Sequence, residues 1–469
     1  MIVEQIYTGC LAQGAYYIES DGEAAIIDPL REVSPYTKKA ATANVEIKFV
    51  FETHFHADFV SGHLTLAQQT GAPIIYGPNA NPNFEAHIAE DGEEFKIGKL
   101  TIKVLHTPGH TMESTSYLLF DEDGKEHAIF TGDTLFLGDV GRPDLAQKGE
   151  ELTIQDLAGY AFESLRNKIM PLRDNVIVYP AHGAGSACGK KMMKETMDTL
   201  GNQKKMNYAL RADMTRAEFI EEVTDGLVPP PSYFPMNVKL NKEGYQSIDV
   251  VLKNGSKRLT VKEFENIANE TQALILDVRS VDDFAIGHLP KSIFIGLDGS
   301  FAPWVGELIM DIKKPILLVV PEGRVEEAVT RLSRVGFDNT LGFLSGGIEA
   351  WKEEGKEIDA VNSIPTAEFI SIHDKTKGEI FDVRKQSEYL SEHVLESNNI
   401  PLNDLNLHLS ELPKKEEFFL HCAGGYRSMI AASILKSKGY HNLIDIQGGY
   451  QALKQTKIPK SDYVCPSTL

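Results

Sequence analysis

The chain has 469 residues, of which 42% are hydrophobic and 24% are charged, and its formal net charge is −20. This length predicts two to four domains, the composition excludes wholesale disorder, and the excess of acid argues against nucleic acid or an anionic membrane as a partner. The sequence contains only four scattered cysteines, no basic-then-apolar leader and no run of about 18 apolar residues, so it predicts a cytoplasmic protein with no membrane span and no disulfide framework.

Four apolar, strand-like runs in the first 220 residues are each followed by metal-ligand side chains. The runs cover residues 49–51, 100–105, 127–130 and 176–179. The ligand-type residues that follow them are His54, His56, Asp58, His110, Asp133 and His182. In α/β folds, the ends of strands are where sites are built. Imidazole and carboxylate ligands suit zinc or iron, so the pattern predicts a metal site.

This pattern resembles the metallo-β-lactamase fold, over about the first 220 residues. The resemblance implies an αββα sandwich with metal between the two sheet edges, with Asp28 either supporting the metal ligands or capping a turn. Hydrolases of this fold hold two zinc ions. By resemblance, the ligands would be His54, His56 and His110 for one ion, Asp58, the next residue and His182 for the other, and Asp133 as a bridge.

The residue after Asp58 is Phe59, which cannot donate to a metal. We therefore expect a single metal ion, as in the persulfide dioxygenases, which this domain resembles. That resemblance implies one Fe(II) per chain, held by His54, His110 and Asp133, with open positions for substrate sulfur and O₂.

The remaining residues of the pattern, His56, Asp58 and His182, would orient the iron ligands or hold an alternative metal. The same donors accept zinc, so they do not by themselves identify the metal.

Two further residues of this region carry predictions. The stretch 138–145 resembles the Gly-Arg-x-Asp stretch of the persulfide dioxygenases, and Arg142 would bind a substrate carboxylate. The alternative is an internal salt bridge with Asp139 or Asp144. Two lysines close behind Cys188 would lower the pKa of its thiol and make it a candidate reactive cysteine, the alternative being an inert thiol.

Beyond a connector with three successive prolines at residues 229–231, the chain repeats itself. Asp277 and Arg279 recur as Asp382 and Arg384, and a pair of glycines recurs about 100 residues later. Alternating strand and helix patterns in each copy predict a parallel α/β sheet. We expect three domains, at residues 1–235, 245–360 and 363–469.

In the last copy, an apolar strand runs into a cysteine, two glycines and a helix. Backbone N–H groups in such a loop point at the sulfur and favour its thiolate. The loop resembles that of the rhodanese family of sulfurtransferases, which implies that Cys422 is the nucleophile that carries persulfide sulfur. The residues expected to act with it are Arg427 in catalysis and Gly424, Gly425 and Tyr426 in substrate binding.

The middle copy is expected to be degenerate. Its strand 316–320 meets Pro321 where the cysteine is expected, and its loop to Arg324 is two residues shorter than the loop of the last copy. We therefore expect a structural domain without catalysis of its own.

Together, the three domains resemble bacterial persulfide dioxygenase–rhodanese fusions. The resemblance implies that the thiol persulfide of glutathione, coenzyme A or a similar thiol is oxidised by O₂ to sulfite, coupled to sulfur transfer that forms or uses thiosulfate, in persulfide detoxification. It also implies a homo-oligomer.

Two alternatives remain. One is a dinuclear zinc thioester hydrolase of the glyoxalase II kind fused to a sulfurtransferase, against which Phe59 counts. The other is a sulfur-carrier or regulatory binding protein with a structural metal. An open three-ligand site counts against that reading, because structural sites close all four positions.

Overall fold

The computed structural model describes residues 1–146 and 151–465. Contacts divide the chain into two compact units. The first consists of Met1–Val250 with Leu332–Gly336, and the second of Val251–Arg331 with Phe337–Leu469. Among the described residues, no helix has both the length and the apolar character needed to cross a membrane.

The first unit is built on two six-stranded sheets, whose strands lie in chain order across each sheet. The first sheet contains β1 (Ile2–Thr8), β2 (Gln13–Ser20), β3 (Glu23–Ile27), β4 (Glu46–Phe51), β5 (Ile74–Tyr76) and β6 (His87–Ile88). The second contains β7 (Glu94–Ile97), β8 (Leu100–His106), β9 (Thr115–Phe120), β10 (Glu126–Gly132), β11 (Ile177–Pro180) and β12 (Asp198–Thr199).

Helices lie between and after these strands in the chain. They are α1 (Ser34–Ala43), α2 (His63–Thr70), α3 (Ile154–Ser164) with a π turn at Leu165–Ile169, α4 (Leu200–Met206), a 3₁₀ turn at Tyr208–Leu210, α5 (Arg216–Thr224), α6 (Phe234–Glu243) and α7 (Ile248–Gly255).

The strands are apolar on both faces, so three apolar layers form. Side chains such as Phe51, Tyr117 and Phe130 fill the space between the sheets. The outer face of the first sheet packs on α1 and α2, and that of the second packs on α3, α4 and α5. Alternate residues of a strand point to opposite faces, which is why adjacent residues supply different layers. The expected αββα sandwich is confirmed.

The first unit extends past the predicted boundary at residue 235, because α6 folds onto the loop after β4. The amide of Asn241 donates to the carbonyls of His56 and Phe59, at 2.7 and 2.8 Å, and its oxygen accepts the N–H of Ser61 at 2.9 Å. A helix that follows the proline connector therefore holds the loop that carries the histidines.

The second unit contains two five-stranded parallel sheets with the same strand order, β13-β17-β16-β14-β15 and β18-β22-β21-β19-β20. The strands of the middle copy are β13 (Arg258–Leu259), β14 (Leu274–Asp277), β15 (Ile293–Phe294), β16 (Ile316–Val319) and β17 (Thr340–Leu344). Those of the last copy are β18 (Asn362–Ile364), β19 (Ile380–Asp382), β20 (Ser397–Asn399), β21 (Phe418–His421) and β22 (Leu443–Ile446).

Helices cover both copies. They are α8 (Val261–Thr271), α9 (Val281–Ile286), α10 (Phe301–Leu308), α11 (Val325–Ser333) and α12 (Gly347–Glu353), then α13 (Thr366–Thr376), α14 (Gln386–Ser391), α15 (Tyr426–Ser437) and α16 (Gly449–Leu453), with 3₁₀ turns at Leu402–Asp404 and Leu409–Glu411. The repeated strand order confirms that the two copies are one fold used twice.

The two copies contact each other through α15. The hydroxyl of Tyr426 donates to the carbonyl of Gly296 at 2.7 Å, and a Cβ added at Gly299 would stand 2.3 Å from the Tyr426 ring. The hydroxyl of Ser433 accepts the N–H of Phe294 at 3.0 Å. The helix that begins at the cysteine loop is therefore fixed against the middle copy.

We predict that Gly299→Ala destabilises the protein by about 1–3 kcal/mol, because the added methyl must displace the Tyr426 ring. Calorimetric unfolding of the full chain measures the effect. Gly287→Ala is the matched control, since its added Cβ makes only an ordinary contact with Ile358 at 3.5 Å. Equal melting temperatures for the two variants would contradict the prediction.

Candidate metal centre and sulfur-transfer loop

The side chains of His54, His110 and Asp133 meet at the edge of the sandwich. They lie in the segments that follow β4, β8 and β10, and each is buried. One ligand atom from each lies within 4.8 Å of the others. The Nε2 atoms of His54 and His110 stand 3.9 and 3.5 Å from Asp133 Oδ2. The structure thus brings together the three residues expected to hold iron.

Each of these three residues has one donor atom left for a metal. The Nδ1 of His110 faces the carbonyl of Arg142 at 2.8 Å, and the Nδ1 of His54 faces the hydroxyl of Thr53 at 3.0 Å. That hydroxyl donates in turn to Asp28, at 2.9 Å. Partners on Nδ1 direct Nε2 to a metal. Asp133 Oδ2 is buried without a hydrogen bond, so the donor set fits a metal ion.

Asp133 and His182 form a buried charged pair that extends to Asp58. The Nδ1 of His182 contacts Asp133 Oδ1 and its Nε2 contacts Asp58 Oδ2, both at 2.8 Å. Burial disfavours the charged forms of Asp133 and His182. Three neighbouring imidazoles, those of His182, His110 and His54, nevertheless hold the pKa of Asp133 well below its usual range, and Asp133 and Asp58 raise the pKa of His182. Burial lowers the pKa of His54, which favours the neutral imidazole that a metal binds.

A second group of ligand-type atoms within 4.8 Å of one another belongs to Asp58, His182 and Cys188. Cys188 lies in the loop after β11 and is buried. Phe59 leaves the second position without the donor that hydrolases of this fold have there, but Cys188 supplies a thiol from a distant loop. From the sequence, Cys188 was expected to be either a reactive or an inert thiol, and its position beside Asp58 and His182 was not expected.

The expected activation of Cys188 by lysines is wrong. Burial, together with Asp133 and Asp58, raises the pKa of the thiol well above its ordinary value. The neighbouring Lys190 points elsewhere, its Nζ donating to the carbonyls of Glu222 and Asp225. A lysine two residues away in the sequence thus affects the pKa of the Cys188 thiol less than the two aspartates that the fold brings close to it.

His56 belongs to a third group. Its Nε2 lies 3.1 Å from Asp28 Oδ1 and 3.5 Å from Glu52 Oε2, and all three side chains are buried. Burial and the neighbouring Asp28 raise the pKa of Glu52 well above its usual value. The sequence analysis missed Glu52, although a carboxylate between an apolar strand and the first histidine was the available signal.

Arg142 makes the internal salt bridge rather than offering its charge to a substrate. It pairs with both carboxylate oxygens of Asp144, at 2.6 and 2.7 Å, and donates to the carbonyls of Ala187 and Val228. The guanidinium is buried and neutralised, so the expected role in binding a substrate carboxylate is not supported. Through its carbonyl, Arg142 instead orients His110.

In the last copy, Cys422 lies between β21 and α15, and its side chain is almost fully buried. The N–H of Gly425 donates to its Sγ at 3.1 Å. This contact uses the left-handed backbone of Gly425, at a φ of +106°, which few other residues adopt. A Cβ at Gly424 would meet only Gln451, at 3.7 Å, so that side of the loop is open.

Arg427 is the second residue of α15, in the first turn after the cysteine loop, and it pairs with Glu388 of α14, at 2.6 and 2.8 Å. Burial opposes its charge, but Glu388 and the neighbouring Cys422 raise the pKa of Arg427. Glu388 was not expected from the sequence. The hydroxyl of Tyr426, a residue expected to bind substrate, donates to the carbonyl of Gly296 in the middle copy.

The strand registers show what replaces the cysteine in the middle copy. Asp277 pairs with Val319, and Asp382 pairs with His421, so Val320 takes the place of Cys422. The expected replacement, Pro321, lies one residue further on, and the loop to Arg324 is shorter by one residue, not two. The apolar Val320 carries no nucleophile, in agreement with a structural role.

Comparison with protein families agrees with this architecture. The model of the metallo-beta-lactamase superfamily matches residues 8–182, and the model of the rhodanese-like domain matches residues 260–354 and 366–456. The protein therefore has an N-terminal metallo-beta-lactamase domain followed by rhodanese-like domains.

Individual relatives resemble different parts of the chain. A metallo-beta-lactamase of Staphylococcus aureus has 30% sequence identity and a TM-score of 0.64, over 73% of this chain and 98% of its own. A probable hydroxyacylglutathione hydrolase of Schizosaccharomyces pombe is 32% identical over 35% of this chain, which spans 60% of that relative's length. The hydroxyacylglutathione hydrolase GloC of Haemophilus influenzae is 29% identical over 37% of this chain and 86% of its own.

We predict that Arg427→Ala slows alkylation of Cys422 several-fold at pH 7. The change removes a positive charge beside the sulfur and leaves Glu388 unpaired, and both effects make negative charge on the attacking sulfur less favourable. Iodoacetamide labelling followed by mass spectrometry of the Cys422 peptide measures the rate. The double variant Arg427→Ala/Glu388→Gln should recover part of the lost alkylation rate. An unchanged rate in Arg427→Ala would show that the ion pair does not act on the thiol.

Proposed function

We propose that this protein, a metallo-beta-lactamase domain joined to two rhodanese-like domains, oxidises thiol persulfides with O₂ and transfers sulfane sulfur through Cys422. The substrate would be the persulfide of a low-molecular-weight thiol such as glutathione or coenzyme A. The observation that carries the proposal is that three buried residues, His54, His110 and Asp133, bring one ligand atom each within 4.8 Å of the others, with Asp133 Oδ2 lacking a hydrogen-bond partner.

Two imidazoles and one carboxylate are the donor set of non-haem iron oxygenases. Fe(II) bound by these residues would supply positions for O₂ and for the persulfide sulfur, whereas zinc would supply a Lewis acid without redox chemistry. The reaction balances as RSSH + O₂ + H₂O giving RSH, sulfite and two protons. The sulfane sulfur is oxidised, and O₂ is fully reduced.

The protein's own groups fix this site before substrate arrives. The Arg142 carbonyl and the Thr53 hydroxyl hold the two imidazole rings, and His182 keeps Asp133 ionised. Because these partners are buried, the donor atoms need little reorganisation when charge develops at the site.

The last copy would hold the second reaction site, at Cys422. A persulfide on Cys422 would pass its outer sulfur to sulfite, which gives thiosulfate and returns the Cys422 thiol. The Gly425 N–H and Arg427 stabilise negative charge on the sulfur that leaves. The reverse direction would use the same groups.

A two-zinc thioester hydrolase is the second candidate. The group formed by Asp58, His182 and Cys188 favours it, since that group offers three donors at a second position. The names of the two curated relatives point to the same chemistry.

We predict rapid oxygen uptake by the iron-loaded protein on addition of glutathione persulfide, with sulfite or thiosulfate appearing. His110→Ala should abolish the uptake because it removes one of three donors, and His87→Ala, at an exposed histidine, is the control. An oxygen electrode gives the rate. Absence of uptake from iron-loaded protein, together with hydrolysis of a hydroxyacylglutathione by the zinc form, would replace the dioxygenase by the hydrolase.

Replacement of Cys422 by Ser is predicted to abolish sulfur transfer between thiosulfate and a thiol acceptor and to leave oxygen uptake largely intact. The nucleophile is lost while the metal ligands, which lie in another domain, are untouched. Cys465→Ser, at an exposed cysteine, should change neither activity. Loss of both activities in a folded Cys422→Ser protein would contradict this division of labour.

A further inference from the structure

Asp28, Glu52 and His56 form a compact group that the proposed function does not use. Asp28 follows β3, Glu52 follows β4, and His56 lies four residues after Glu52. One ligand atom from each lies within 4.8 Å of the others. The three side chains are between 0 and 1% exposed, so water does not solvate them.

The contacts in this group lack the alignment of hydrogen bonds. The Nε2 of His56 stands 3.1 Å from Asp28 Oδ1 and 3.5 Å from Glu52 Oε2, yet neither ring nitrogen of His56 has a hydrogen-bond partner. An ion with bonds of about 2.0–2.2 Å to nitrogen and oxygen spaces neighbouring donor atoms about 3.0–3.6 Å apart. Both observed separations fall in that range.

The two carboxyl groups of the cluster also lie against the same imidazole. Asp28 Oδ1 lies 3.1 Å and Glu52 Oε2 lies 3.5 Å from His56 Nε2. Two buried carboxyl groups thus share one imidazole between them. Buried carboxylates are paired or bound to metal, because isolated ones are costly to desolvate.

Hydrogen bonds hold both carboxylates in place. The N–H and hydroxyl of Thr53 donate to the two oxygens of Asp28, at 2.8 and 2.9 Å. The hydroxyl of Ser61 donates to Glu52 Oε1 at 2.5 Å, which leaves Oε2 towards His56. Outer partners of this kind orient metal ligands.

We propose that Asp28, Glu52 and His56 bind a second divalent cation of the first transition series, such as Zn²⁺ or Mn²⁺. Two carboxylate oxygens and one imidazole nitrogen suit ions of this class. This site is separate from the centre at His54, His110 and Asp133, and it does not depend on the reaction that the centre catalyses. The buried ion would fix the loop that carries His54.

The test is the metal content of the full-length protein, produced with added Zn²⁺, dialysed free of loose metal and analysed by inductively coupled plasma mass spectrometry. We expect about two ions per chain in the unaltered protein and about one in Glu52→Gln. His110→Ala should also hold about one ion, and the double variant none. Glu46→Gln, at an exposed glutamate that begins the strand preceding Glu52, is the matched control and should keep both ions.

Circular dichroism shows whether each variant is folded. Equal metal content in folded Glu52→Gln and Glu46→Gln proteins would overturn the proposal, and the group would then be a cluster of buried polar side chains without a metal ion. Anomalous diffraction at the zinc edge, from crystals of the unaltered protein, needs no variant. A peak within bonding distance of Glu52 and His56 is expected, and no peak there would equally overturn the proposal.

Discussion

The negative charge of Asp133 is the constraint on which the arrangement of the first domain depends. The carboxylate is buried at the end of β10, where water cannot solvate it, and three imidazoles, from His54, His110 and His182, surround it. Each imidazole needs its own partner for correct orientation, so the fold surrounds the centre with a layer of hydrogen-bonding groups. The Thr53 hydroxyl and a backbone carbonyl are members of that layer. Because the buried charge of Asp133 requires these partners, several loops must place their polar groups around it.

The second unit shows how a duplicated fold separates support from chemistry. Both copies keep a buried aspartate paired with an arginine at the end of the second strand of each copy, Asp277 with Arg279 and Asp382 with Arg384. Only the last copy carries a cysteine after the central strand. The middle copy receives the Tyr426 hydroxyl and packs against its ring, so it fixes the start of the helix that follows the cysteine loop. Loss of a nucleophile is compatible with retention of the fold, since the core and the site use different residues.

In the function proposed above, the two reaction sites would fit together chemically, because sulfite formed at a metal centre would be an acceptor for sulfane sulfur held on a cysteine. The same first domain also carries features of the hydrolases that it resembles in sequence. Phe59 removes one donor, whereas Cys188 brings another into reach of Asp58 and His182. Donor identity at this second position therefore separates the two chemistries more sharply than the fold does.

The sequence alone determined the domain order, the αββα and parallel-sheet architectures, and the strand ends that carry the candidate metal-ligating side chains and Cys422. These features follow from local patterns, namely apolar runs, turn residues and an internal repeat. It did not determine the neighbours of those residues. Asn241 reaches the histidine loop from a helix about 180 residues later, the raised pKa of Cys188 reflects Asp58 and Asp133 rather than adjacent lysines, and Arg142 is neutralised by Asp144. Only tertiary structure decides such contacts, because a pattern shows which edge or face a residue occupies, whereas charge, burial and ligation depend on what distant segments place against it.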